Sequence, residues 1–239
     1  MYIDSNAPGG YTFQQQSVNS VTLGKIAQGN WDFVILQAQS QEPSFPPSQV
    51  QSQTYPYAKN LCDSIRHYNN CTEPVFYMTW GRQNGDASNC ASYPVVCTYE
   101  GMQMRLRQSY LEMALSNHTT IAPVGVVWKK VRNTDSTINL YNADQSHPSL
   151  WGSYLAACVI YTTLYNKPSQ GAWVPPSLNL DTALFIQNIA STLVQDSISK
   201  WYLGNLQAAS FTSSVSGYNI SVTDHSINPG TVNWNFGDG

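Results

Sequence analysis

The sequence predicts an α/β fold, an open parallel sheet with helices on both faces, followed by a short all-β segment. Three observations carry this. Short continuous apolar runs of strand length alternate with longer stretches of helical spacing. Those runs lack in-and-out alternation, as strands covered on both faces do. Beyond residue 204 the texture changes to alternating, Ser- and Asn-rich stretches, which places a domain boundary between 1–204 and 205–239.

The elements follow in order. Tyr2-Ile3 reads as a strand that runs into the turn Asn6-Ala7-Pro8-Gly9-Gly10. Val18 to Ala27 has helical character. Asp32 to Gln37 is the first continuous apolar run, Pro74 to Trp80 the second, and Thr120 to Ala122 a short third. Ser48 to Tyr68, Tyr99 to Ser116 and Val124 to Val131 are the helices between and after them. Pro148 opens a helix in which Tyr154, Leu155, Cys158, Val159 and Thr162 recur at helical spacing, since proline loses no hydrogen bond in a first turn. Asp181 to Trp201 is the last helix. Ala209 to Ser214, Tyr218 to Thr223 and Val232 to Phe236 alternate like half-exposed strands.

Composition bounds the function. The 239 residues carry 11 Lys+Arg against 14 Asp+Glu, a net charge of -3 and only 10% charged residues, against about 25% in ordinary soluble domains. A nucleic-acid partner needs a clustered basic surface, and the densest cluster, Lys129, Lys130 and Arg132, reads as a solvated helix face. The 82 Ser, Thr, Asn and Gln keep the surface wet with neutral groups, a composition suited to an exported, carbohydrate-associated protein. No apolar run reaches the 18 residues of a membrane span. Both ends read as interior to a longer chain.

Four of the five cysteines form two local pairs, Cys62 with Cys71 and Cys90 with Cys97, each enclosing a short polar stretch. Two loop-closing disulfides and an oxidising compartment are expected. Zinc is the rival reading, weakened by the lack of CxxC spacing and of a histidine at a ligand interval. Cys158, in an apolar helical run, reads as a buried small hydrophobe.

The sharpest chemical signal is Asp144-Gln145-Ser146-His147-Pro148. A carboxylate three residues before a histidine can hold the imidazole N–H and stabilise the protonated ring. Pro148 keeps His147 extended. A parallel α/β sheet binds ligands at the carboxyl ends of its strands, and the three stretches there are polar: Asn6 to Gly10, Gln37-Ala38-Gln39-Ser40, and Thr79 to Asn84. Glycine N–H groups and an amide aimed at one point suit an oxyanion. Trp80 could wall a pocket, and Arg82 could meet an anionic group.

Gly9-Gly10, Gln37/Gln39 and Asp144-Gln145-Ser146-His147-Pro148, in that order, resemble the SGNH (GDSL-type) hydrolases over roughly residues 1–200. The resemblance implies a flavodoxin-like sheet, His147 as general base and Asp144 as its orienting partner. It also implies Gly9 or Gly10 as a backbone oxyanion donor. Gln37 or Gln39 stands where that family has asparagine, with Gln37 favoured because it ends the strand. The family's nucleophilic serine follows its first strand. Neither that block nor that strand is found here, and Asp4-Ser5 does not match it, so the 239 residues alone are expected to be inactive. Ala209 to Gly239, ending in Trp234-Asn235-Phe236-Gly237-Asp238-Gly239, resembles the first part of a PKD β-sandwich domain, a module of bacterial extracellular proteins.

These readings converge on a secreted or cell-surface serine esterase for small acyl groups, such as an acetyl on a sugar, with no cofactor and no metal. Its partner is a small ester or acylated carbohydrate, with no nucleic acid and no membrane span. A non-catalytic surface or carbohydrate-binding protein on the same fold is the alternative. A metal hydrolase using Asp144 and His147 is weaker, because no further ligand lies near a strand end.

Overall fold

Three parallel strands, β1 (Phe33–Leu36), β2 (Glu73–Tyr77) and β3 (Thr120–Ala122), form a sheet in the order β1-β2-β3. The computed structural model describes residues 2–201, 211–217 and 219–224. Phe33 pairs with Glu73 and Leu36 with Phe76, and Val75 pairs with Thr120. Val75, Phe76, Ile121 and Ala122 are fully buried, as strands covered on both faces require. β1 departs from that expectation. Among the described strands it pairs only with β2, and Ile35 is exposed.

Ahead of the sheet lie α1 (Phe13–Ser17), which was not expected, and α2 (Ser20–Ile26), which falls within the expected Val18 to Ala27. Capping sets where each begins. Thr12 and Gln15 form a reciprocal capping box that starts α1, and the Asn19 side chain accepts from the Val21 and Thr22 N–H groups to start α2. The expected helix Ser48 to Tyr68 is two, α3 (Pro47–Gln53) and α4 (Tyr55–Tyr68). Pro56 has no N–H to continue the ladder of the preceding helix. Tyr2 and Ile3 form no strand: without a hydrogen-bonded neighbour they have no ladder, and Tyr2 instead stacks on Trp31.

α4 connects β1 to β2, and α5 (Tyr99–Asn117) connects β2 to β3. Ala58, Leu61, Cys62 and Ile65 are the buried face of α4. Val124, Val127, Trp128 and Val131 are that of α6 (Val124–Thr134). Both follow the i, i+3, i+4, i+7 stripe, and each fully buried large apolar side chain contributes about 1.5–3 kcal/mol. α7 (Leu150–Tyr165) and α8 (Leu180–Gln195) pack on one another and on α6. α7 begins two residues after Pro148, because the Ser149 hydroxyl caps it. α9 (Ile198–Trp201) ends the α/β part, with Trp201 buried.

β4 (Phe211–Ser216) and β5 (Asn219–Asp224) form an antiparallel pair that is exposed almost throughout. The expected boundary at 204/205 and the Trp234–Gly239 motif lie outside the described residues.

One of the two expected disulfides is present. Cys90 and Cys97 are bonded, with Cα atoms 4.6 Å apart. Cys62 and Cys71 are not: Cys62 is buried and Cys71 exposed, both as free thiols. Cys62 faces the core nearly two turns before the end of α4, roughly 9 Å back along the axis, whereas bonded cysteines have Cα atoms about 4.4–6.8 Å apart. Burial pushes the Cys62 thiol up to about 12. Cys158 is buried as expected. No described group of three His, Cys, Asp or Glu could hold a metal ion, and no described helix is long and apolar enough to cross a membrane.

Candidate functional site

Asp144 organises its own loop. Its Oδ1 accepts from the backbone N–H groups of Ser146 (3.0 Å) and His147 (2.9 Å), the local closure for which short acidic side chains are suited. Its Oδ2 is 2.5 Å from His147 Nδ1, which donates. The Ser146 N–H, the His147 ring and the His147 N–H together hold the Asp144 carboxyl down at about 2. The loop is closed at its base by the Asn142 N–H to His147 O bond (2.8 Å) and the Tyr141–Pro148 bridge. With Nδ1 committed to the carboxylate, Nε2 is the ring nitrogen left open. The imidazole is 76% exposed, and Nε2 has no hydrogen-bond partner among the described residues.

The residues after β2 hold this loop at the carboxyl end of the sheet. Trp80 Nε1 donates to Ser146 O (3.0 Å), the Gln83 N–H to Gln145 O (2.8 Å), and Asn84 Nδ2 to Gln145 Oε1 (2.8 Å). Trp80 lies flat on Trp128, ring centres 4.0 Å apart, and Trp128 meets Tyr141 edge-on. Tyr141 donates to Gly81 O at 2.7 Å. Trp80, expected as a pocket wall, joins β2, α6 and the histidine loop.

Arg82, expected to meet an anionic group, is paired inside the protein with Asp86 (3.1 Å), whose side chain is fully buried. Asp86 is a hub that sequence reasoning passed over. Besides Arg82 it accepts from Gln41 Nε2 (2.7 Å), Asn89 Nδ2 (2.7 Å) and the Ser88 N–H (3.2 Å). Its own N–H donates to Val96 O beside the Cys90–Cys97 disulfide. Gly85 makes this crossing possible: its φ is +81°, and a Cβ there would lie 2.5 Å from the Cys97 backbone.

Gln41 carries the network to the end of β1. Gln39 Oε1 accepts from the Gln41 and Glu42 N–H groups (2.8 and 3.0 Å), capping a short 3-10 turn, Glu42–Ser44. Gln39 Nε2 donates to Gln41 Oε1 (3.0 Å), which leaves it one N–H. Gln37 is exposed, and its amide has no partner among the described residues. Gly9 and Gly10 form an exposed turn with open space around both, Gly10 at φ +75°. Asn6, just before them, donates to Asn19 and Thr22 of the α2 start. No hydrogen bond among the described residues joins the glycine turn to His147.

The structure thus unites Asp144, His147, Trp80 and Arg82, and connects Gln39 to them through Gln41 and Asp86. Gln37 and the glycine turn stand outside that network. Asp86 and Glu42 were missed; the only local sign was the Asn84-Gly85-Asp86 turn signal for the first.

The fold is similar to that of two solved bacterial proteins. A DUF4886 family protein from Bacteroides uniformis superposes with a TM-score of 0.65 at 16% identity, over 78% of this chain and 80% of that one. A candidate SGNH hydrolase from Slackia heliotrinireducens superposes with a TM-score of 0.52 at 25% identity, over 64% of this chain and 78% of that one. No family model and no curated protein matches the chain. The α/β part therefore has an SGNH-like fold, a parallel sheet flanked by helices.

Proposed function

We propose that the protein is a serine esterase of the SGNH type acting on small acyl esters, including acetyl groups on carbohydrates. The observation that carries this reading is the Asp144–His147 pair, with Nδ1 held by the carboxylate and Nε2 open beside the sheet's carboxyl end. The fold shared with a candidate SGNH hydrolase supports it. Nε2 takes the proton of the attacking serine, Asp144 stabilises the imidazolium, and the ring returns the proton to the leaving alcohol. Water repeats the cycle on the acyl-enzyme. Gly9 or Gly10 donates a backbone N–H to the oxyanion. Gln37 or the free N–H of Gln39 adds an amide donor.

No serine hydroxyl contacts His147 among the described residues, and the Ser5 hydroxyl has no partner there. In this proposal the nucleophile is a serine upstream of residue 1, in a Gly-(Asp/Asn)-Ser turn like that of the SGNH hydrolases. The same observation favours the second reading, a non-catalytic carbohydrate-binding protein. The Cys90–Cys97 disulfide is in keeping with export, and the PKD-like tail with a surface location.

The test is hydrolysis of an aryl acetate by a longer gene product that includes a Gly-(Asp/Asn)-Ser turn upstream. General-base catalysis contributes about 10²–10⁴-fold, so His147→Ala should lower kcat by that much. Equal activity in the 239-residue form refutes the upstream nucleophile, and no effect of His147→Ala refutes the Ser-His-Asp esterase.

A further inference from the structure

The Cys90–Cys97 disulfide abuts the segment that holds the histidine loop, and its two ends are supported very differently. Cys97 closes a short 3-10 turn, Pro94–Cys97, and directly precedes Thr98, whose hydroxyl caps α5. That end is fixed by a long helix with a buried face. Cys90 belongs to the turn that follows Asp86, and none of residues 87–95 is buried. A stretch with no buried side chain has no core to hold it. The S–S bond is the covalent tie that fastens it to the start of α5.

From that tie the contacts run toward His147. Val96 O accepts from the Asp86 N–H at 2.7 Å, and Gly85 lies so close to Cys97 that a Cβ on it would be 2.5 Å from the Cys97 carbonyl. The Gly85 N–H donates to Arg82 O (3.0 Å), and the Asn89 amide and the Ser88 N–H fold the turn back onto the Asp86 carboxylate. Gln83 and Asn84, inside this segment, are the two residues that bond Gln145 of the histidine loop. Cys90 and Cys97 are half-buried, and Ala91, Ser92 and Pro94 between them are exposed, which sets the bond near the surface rather than in the core. Cys62 and Cys158 are buried elsewhere as free thiols.

From these contacts we infer that the disulfide is a thiol-sensitive clamp on the histidine loop: closed, it fixes Gln83 and Asn84 against Gln145, and opened by a dithiol, it frees them. In the opening step the two thiols of the reductant give up two electrons and two protons and become a disulfide. Cys90 and Cys97 take them up and become thiols. Among the described residues neither sulfur bonds Asp144 or His147, so both cysteines are positioning residues. What the clamp controls rests on the esterase reading: His147 is held for catalysis only while the bond is closed, so the site is completed in an oxidising compartment. That the clamp steadies the loop does not depend on that reading.

The experiment reads amide hydrogen exchange by NMR in the 239-residue chain, oxidised and after dithiothreitol. The Asp86 N–H reports the clamp, and the Gln83 N–H reports the joint to the histidine loop. The Met78 N–H, bonded to Ala122 O at 3.0 Å, reports the sheet. Reduction should speed exchange at Asp86 and Gln83 about tenfold or more and leave Met78 within about twofold, and reoxidation should restore the slow rates. Cys90→Ser/Cys97→Ser should match the reduced protein. Where that variant does not fold, reduction of the folded native chain gives the same reading. A bond that dithiothreitol leaves intact, unchanged exchange at Gln83 while Asp86 speeds up, or equal acceleration at all three amides overturns the inference. None of these outcomes involves turnover, so loss of aryl-acetate hydrolysis alone refutes the esterase and leaves the clamp intact.

Discussion

Replacing Asp86 with alanine tests whether the two strand-end loops are held by one buried carboxylate. Asp86 is fully buried and accepts four hydrogen bonds, from Arg82, Gln41, Asn89 and Ser88. Removing one member of a buried ion pair costs about 3–5 kcal/mol, since the partner charge stays desolvated. Arg82 keeps 28% of its side-chain surface in water, which moves the cost toward the lower end. The Gln41 and Asn89 amides add ~1 kcal/mol each where they find no new partner, and in one network such terms do not sum. The expected loss is about 3–4 kcal/mol. At ~2–4 °C per kcal/mol for a chain of this size, Tm should fall by roughly 6–16 °C. Urea unfolding followed by tryptophan fluorescence, with thermal circular dichroism, measures both. Asp63→Ala is the control: Asp63 pairs with Lys59 on the surface at 2.5 Å, and such a pair is worth about 0.2–1 kcal/mol. If the Asp86 and Asp63 variants lose the same stability, the hub has been misjudged.

Three further outcomes are expected. The Asp144 carboxyl, held at about 2 in the folded protein against ~3.9 when unfolded, supports the fold above pH ~4. That support is lost as pH falls through ~4 toward 2; a carboxyl-carbon NMR titration with a midpoint above 3.5 would contradict the loop geometry. Trp80→Phe keeps a ring for the Trp128 stack but removes the donor to Ser146 O, and should cost about 0.5–1.5 kcal/mol. In the longer form that the proposed function invokes it should lower kcat more than it alters KM, and an unchanged kcat would mean that the bond does not position His147. In native protein a maleimide should label Cys71 quickly, and Cys62 and Cys158 only on unfolding; rapid labelling of Cys62 would contradict its place in the core.

How much was legible in the sequence follows from the range over which each feature is decided. β3 falls on the expected Thr120 to Ala122, and α5 ends one residue past the expected Ser116. Their signals are a short apolar run and helical spacing, both local. The Asp144–His147 contact spans three residues and was equally readable. The helix expected over Val18 to Ala27 is present as α2, shortened at its start by the Asn19 cap, whereas α1 with its Thr12 cap carries too short an apolar pattern to be read. The Cys62–Cys71 pairing failed because spacing says nothing about which face of α4 carries the sulfur.

The sequence by itself determined the α/β class, the three strands of the parallel sheet and the self-contained Asp144-to-His147 loop, because caps, periodicity and Asx turns act between near neighbours. Only the tertiary structure decided that Asp86 joins Gln41 to Arg82 across 45 residues. It alone showed that Gln39 caps the turn bearing Glu42, and that Trp80 anchors the histidine loop. Those partnerships depend on strand register and on which helix face turns inward. Both are settled by burying the whole core at once, and no short stretch of residues encodes them.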